Sequence, residues 1–161
     1  MYNKTLLIII CLFIISCSGD SNKNGNHQEV KKSEVAAAAI EVAAKLADKN
    51  DPSGFLKLYE IAKDDDTYTV EYSEVAAQEL ILLLYSKTEI WIKTFSKLDQ
   101  KEFINYLNHG GLAVTVLPNG MTSEKKFDIA ILENLKKIKV NDSEIVLVDY
   151  LTQIFEKLTK E

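Results

Sequence analysis

Ser73-Glu74-Val75-Ala76-Ala77-Gln78-Glu79-Leu80-Ile81-Leu82-Leu83-Leu84-Tyr85 is the stretch on which the fold turns. Serine is a favoured N-cap, so Ser73 reads as the opening of a helix over Glu74 through Tyr85. Within it, Leu80 through Leu84 is apolar on nearly every side of a 3.6-residue turn. A surface helix needs one apolar stripe, whereas a helix apolar all round needs cover on more than one face. The expectation is a central helix inside an all-helical domain.

Working outward, the preceding residues carry two more helical patterns. From Ser33, residues Val35, Ala39, Val42 and Leu46 fall on one face, with Glu34, Glu41 and Lys45 elsewhere. Asn50 and Asp51-Pro52 stop that helix and start the next, because Asp caps and Pro suits a first turn. The second helix carries Phe55, Leu58, Tyr59 and Ala62 and ends at Asp64-Asp65-Asp66. Thr67 to Tyr72, TYTVEY, reads as a short strand or extended loop.

On the other side, Thr88 is the expected cap of a fourth helix with Trp91, Phe95 and Leu98. Asp99 and Glu102 have capping-box spacing for a fifth carrying Phe103 and Leu107. Gly110-Gly111 ends it, and Leu112 to Met121, which includes Pro118-Asn119-Gly120, reads as a break with room for a short strand or hairpin. Thr122 or Ser123 starts a sixth helix with Phe127, Ile131, Leu135 and Ile138. Asn141, Asp142 or Ser143 starts a seventh with Leu147, Leu151, Ile154, Phe155 and Leu158. The fold class expected is all-α, about seven helices as stacked antiparallel hairpins or an irregular bundle.

The opening motif has an echo. Ser33-Glu34-Val35-Ala36-Ala37 recurs forty residues later as Ser73-Glu74-Val75-Ala76-Ala77, and Ile40, Val42 and Ala43 align with Leu80, Leu82 and Leu83. A period near forty with two helices per unit resembles HEAT-like repeats, which implies helical hairpins stacked on a shared core.

At the front of the chain, Leu6 to Ile15 is uncharged and follows Lys4, too short a run to cross a bilayer as a permanent helix. It ends at Ile14-Ile15-Ser16-Cys17, then turns polar at Ser18-Gly19-Asp20. This resembles the lipobox of bacterial lipoproteins. The resemblance implies cleavage between Ser16 and Cys17 and acyl chains on Cys17, so that the membrane is a partner through lipid. It also implies the outer membrane as destination in a double-membraned cell, since Ser18 stands where Asp commonly retains such proteins at the inner membrane; in a cell with one membrane the place is its outer face. Residues 1–16 are then a signal peptide and 17–32 a lipidated cysteine with a disordered Ser, Asn and Gly-rich tether. Residues 33–161 are a single helical domain.

Removing the leader from the 161 residues leaves 145, with 18 lysines against 24 carboxylates, a net charge of −6. Nucleic acid is an unsuitable partner for such a chain. There is no arginine, hence no bidentate clamp for phosphate. Cys11 leaves with the leader and Cys17 is consumed by lipid, so no disulfide supports the domain.

Signatures of chemistry are sparse. Asp64, Asp65, Asp66 and Glu71 cluster oxygen ligands, yet lack the glycine and terminal glutamate of an EF-hand loop. Two separated histidines and no mature thiol make no zinc site. His109, at a helix end before Gly110, reads as a capping or exposed residue. No cofactor, metal or catalytic set is expected. Trp91 and Phe95 sit at core spacing, while Tyr68, Tyr72, Asp65 and His109, in the two irregular stretches 64–72 and 109–121, are the candidate partner-binding residues. The expected function is a membrane-anchored, non-catalytic module that binds an envelope protein, with an immunity-type lipoprotein as a specific version. A small-molecule or lipid carrier with an interhelical cavity and an envelope hydrolase are the alternatives.

Overall fold

The computed structural model describes residues 26–64, 67–113 and 115–160, with side chains from residue 34 onward. Seven α-helices occupy this span: α1 (Asn26–Asp48), α2 (Pro52–Ala62), α3 (Val70–Ser86), α4 (Thr88–Phe95), α5 (Gln100–Tyr106), α6 (Glu124–Lys137) and α7 (Ile145–Leu158). A wider π turn, Leu107–Gly111, extends α5. The domain is an all-helical bundle, and no strand occurs among the described residues.

Helix α1 buries a different face from the one its valines suggest. Ala36, Ile40, Ala43 and Ala47 are buried, whereas Val35 and Val42 stay 60% and 59% exposed. The cause lies in α2, where a side chain on Gly54 would collide with the Ala43 carbonyl and the Ala47 amide. Backbones this close leave no room for bulky side chains at the contact itself, where Ala43 and Ala47 lie. The helix also begins seven residues before Ser33, taking in part of the expected tether. Extending a formed helix gains one hydrogen bond per residue fixed, which makes such growth inexpensive.

The α1–α2 corner follows the sequence signals. Asn50 adopts φ 64°, and the Asp51 and Asn50 amides donate to the Leu46 and Ala47 carbonyls at 3.0 and 2.9 Å. This paired pattern satisfies the orphan carbonyls of a helix end. Asp51 then caps α2, accepting from the Ser53 amide at 2.9 Å and the Ser53 hydroxyl at 2.8 Å. Lys87, from beyond α3, donates to the Asp48 carbonyl at 3.0 Å and Asn50 Oδ1 at 2.8 Å, placing a cation at the negative end of α1.

Helix α3 occupies the central place its apolar run requires, packing against α2, α4, α6 and the π turn. Its first residue is Val70, so Ser73 lies inside the helix and turns its hydroxyl back to the Thr69 carbonyl at 3.3 Å. Neither copy of the Ser-Glu motif therefore starts a helix. Burial nevertheless repeats at the forty-residue offset: Ala36 and Ala76, Ile40 and Leu80, and Ala43 and Leu83 are all buried.

Trp91 on α4 reaches back to donate to the Leu80 carbonyl at 3.0 Å. Thr88 does not cap α4, because its hydroxyl is already bonded to the Leu84 carbonyl at 2.7 Å. Asp99 does cap α5, accepting from the Glu102 amide at 2.9 Å, while Glu102 turns outward to Lys63 at 3.1 Å. Between α2, α4 and α5 lies an aromatic cluster. Phe95 and Phe103 stack with centroids 4.6 Å apart, and Tyr59 meets Phe95, Phe103 and Tyr106 edge-on. Such contacts add about 0.5–1.5 kcal/mol per pair to the burial of the rings.

Helices α6 and α7 pack against each other through Phe127, Ile131, Leu135, Leu147, Leu151 and Phe155. Ser123 caps α6, and Asn141 Oδ1 accepts from the amide and hydroxyl of Ser143 just before α7. Asn134 of α6 donates to the Tyr85 carbonyl at 2.8 Å and so ties this pair to α3.

Candidate partner-binding surface

Two irregular stretches flank the first half of α3. The first leads into it. Asp64 accepts from the Thr67 amide at 3.0 Å through Oδ1 and from the Tyr68 amide at 3.1 Å through its carbonyl, turning the chain sharply before Val70. This turn replaces the strand that TYTVEY suggests. Tyr68 is half-buried against the core with its hydroxyl near Lys57. Tyr72 points the other way: it lies one turn inside α3 and is 7% exposed. Once the helix begins at Val70, Tyr72 falls in register with Ala76, Leu80 and Leu83 on covered faces of α3, so it is a core residue and offers nothing to a partner.

The second stretch runs from the π turn to α6. His109 is exposed, and its Nδ1 lies 2.7 Å from the Asn105 carbonyl, the helix-end role expected of it. Gly110 follows with φ 113°, a conformation that favours glycine and terminates the turn. Tyr150 of α7 donates to Asn108 at 2.6 Å and fixes the turn to the last helix. No hydrogen bond or ring contact among the described residues joins His109 to Tyr68 or Tyr72.

Beyond the π turn the backbone is extended only briefly, and its partner is a side chain. Gln78 Oε1 accepts from the Thr115 amide at 2.6 Å, the Thr115 hydroxyl at 2.8 Å and the Val116 amide at 3.1 Å, while Nε2 donates to the Val116 carbonyl at 2.9 Å. One buried amide thus satisfies backbone groups that a neighbouring strand would otherwise take, and no strand occurs among the described residues of 112–121. Val70, Glu74 and Gln78 lie at successive i, i+4 positions of α3, about 12 Å end to end. Above them, Val70 is 58% and Val116 46% exposed. Val70, Glu74, Thr115 and Val116 are all exposed, the first two on α3 and the last two on the segment that Gln78 of the same helix holds. Sequence reasoning passed over it because Gln78 looked like one more residue of a core helix; a lone amide in an apolar run was the available signal.

Buried polar chemistry lies elsewhere. Glu79 on α3 is 6% exposed, its Oε2 has no hydrogen-bond partner, and burial, helped by the nearby Asp48 carboxylate, raises its carboxyl above the ordinary range. Burial likewise pushes the Tyr106 hydroxyl up. Neither group lines either of the two described hollows. The hollows described are shallow and bordered largely by polar side chains. One lies among Tyr85, Thr88, Asn134, Lys137 and Lys139, another along α5 beside Glu102, Asn105 and Asn108. No cluster of three or more potential metal ligands exists among the described residues, and none of their helices is long and apolar enough to cross a membrane. Ser16, Cys17 and Asp65 lie outside the described residues. No protein family, curated protein or solved structure matches the chain.

Proposed function

We propose that the chain is a lipid-anchored envelope module that works by binding another protein and performs no chemistry of its own. The observation that carries the anchor is the placement of Cys17, directly after Ser16 and at the point where the apolar run of the leader stops. In a double-membraned cell the absence of Asp at position 18 directs the product to the outer membrane.

A filled interior supports binding through the surface in preference to binding in a cavity. The space between α2, α4 and α5 is occupied by stacked rings, and the two hollows described are open, unlike the enclosed apolar pockets that small ligands favour. The surface Val70, Glu74, Thr115 and Val116, with Tyr68 at its edge, combines exposed apolar side chains with a backbone already pinned by Gln78. Preformed surfaces of this kind lose little entropy on binding.

The test has two arms. Intact mass of the membrane-extracted protein, with Cys17→Ser beside it, is expected to show loss of residues 1–16 and added acyl mass on the native chain only. Photo-crosslinking from position 115 in intact cells is expected to yield one saturable protein adduct that Val116→Asp abolishes. A retained leader sinks the first half, and adducts that neither saturate nor respond to Val116→Asp sink the second.

A further inference from the structure

Helix α1 has two apolar faces, and only one is used by the bundle. Its inner face packs through Ala36, Ile40, Ala43 and Ala47. Its outer face presents Val35, Ala38 and Val42, all exposed, at i, i+3 and i+7, while Ala39 and Leu46 at the edge of that face touch the bundle. The two valines are 60% and 59% exposed.

We infer that a phospholipid surface covers this face, α1 lying along the bilayer interface with Val35 and Val42 turned toward the acyl chains. The inference rests on the lipid-anchor reading above and follows from where that anchor ends. With Cys17 held in the bilayer, only residues 18–25 separate it from Asn26, the first residue of α1. Eight residues reach at most about 29 Å fully extended. The helix itself, 23 residues long, measures about 34 Å. The anchor is thus closer to α1 than α1 is long.

Charge favours the same helix. Residues 26–49 hold Lys31, Lys32, Lys45 and Lys49 against Glu29, Glu34, Glu41 and Asp48 and are neutral, so the net charge of −6 resides in the rest of the mature chain. An envelope surface rich in anionic headgroups repels the body of the domain and leaves α1 as the element able to approach. Two valines are too few to draw a free domain to a membrane. A short tether changes this, because it replaces a bimolecular encounter by an intramolecular one at high effective concentration.

The test uses the acylated protein in phosphatidylcholine vesicles. Cys11 is gone and the Cys17 sulfur is alkylated, so a nitroxide placed through Val42→Cys reports from one site. Lys101→Cys, exposed on α5, is the comparison. The ratio of oxygen to nickel-chelate accessibility is expected to be several-fold higher at 42 than at 101, and to fall to the same value at both when the protein is moved into detergent-free buffer as the unacylated Cys17→Ser chain. Equal ratios in vesicles overturn the inference, and so does dipolar broadening at 42, which identifies a second copy as the occupant. Intact mass of the same sample separates the two failures: an unacylated Cys17 removes the anchor and this inference with it, whereas an acylated chain with a water-exposed position 42 removes the inference alone.

Discussion

Replacing Glu79 by methionine is expected to stabilise the domain at neutral pH, and the gain should vanish in acid. Glu79 is buried, its Oε2 lacks a donor, and burial with the neighbouring Asp48 raises its carboxyl above the ordinary 4.5. The sign follows from proton binding. In strong acid the carboxyl is neutral in folded and unfolded chains alike, so ionisation has no cost. As pH rises through the ordinary value the unfolded chain ionises first while the folded one resists, and stability falls until the raised folded value is passed. The destabilisation is therefore complete above that value and absent below the ordinary one. An unsatisfied buried polar group costs about 1–3 kcal/mol, more when charged, and apolar replacement of buried charges commonly returns a similar amount. For a domain of this size that corresponds to roughly 3–10 °C in Tm. Urea melts of the leaderless chain between about pH 4 and pH 8 supply the measurement, with Glu79→Gln as the variant that removes only the titration. If both variants are less stable than the native chain at neutral pH, or if the difference is the same at every pH, Glu79 has a partner and the reasoning is wrong.

Three other outcomes are expected. Gly54→Val forces α1 away from α2 and should cost about 3 kcal/mol or more, read as a lower urea midpoint, because the added carbons meet the backbone of Ala43 and Ala47. Gln78→Ala frees the Thr115 and Val116 amides and should cost about 1–2 kcal/mol; hydrogen exchange at residues 115–117 should rise while α6 and α7 stay protected. Phe103→Ala opens the aromatic cluster and should cost about 3–5 kcal/mol by thermal melting, with the stacked partner Phe95 left facing a void.

Most helices are legible because their termini are local chemistry. Asp51 and Asp99 cap where their spacing to the next amides says they should, and Asn50 supplies a left-handed residue at the stop of α1. The central position of α3 is legible because a run such as Leu80 to Leu84 leaves no polar side for water. The failures at Ser73 and Thr88 share one cause. A hydroxyl near a helix end has two acceptable uses, capping the next amides or bonding a carbonyl one turn back, and the choice depends on whether the preceding chain is itself helical. Thr88 follows α3 almost without interruption, so the Leu84 carbonyl is within reach and takes its proton.

Which face of α1 turns inward is a different kind of question, and hydrophobicity alone answers it wrongly. Valine gains more than alanine from leaving water, so the stripe through Val35 and Val42 is the better core face on transfer energy. What decides the matter is a distance set by another helix. Gly54 brings the backbone of α2 against α1, and that separation requires small residues at Ala43 and Ala47, which sets the inward face. The valines are thereby left for whatever lies outside the bundle. A single residue without a side chain, fourteen positions beyond Ile40, thus sets how closely α2 approaches α1 and leaves Val35 and Val42 on the outside of the bundle.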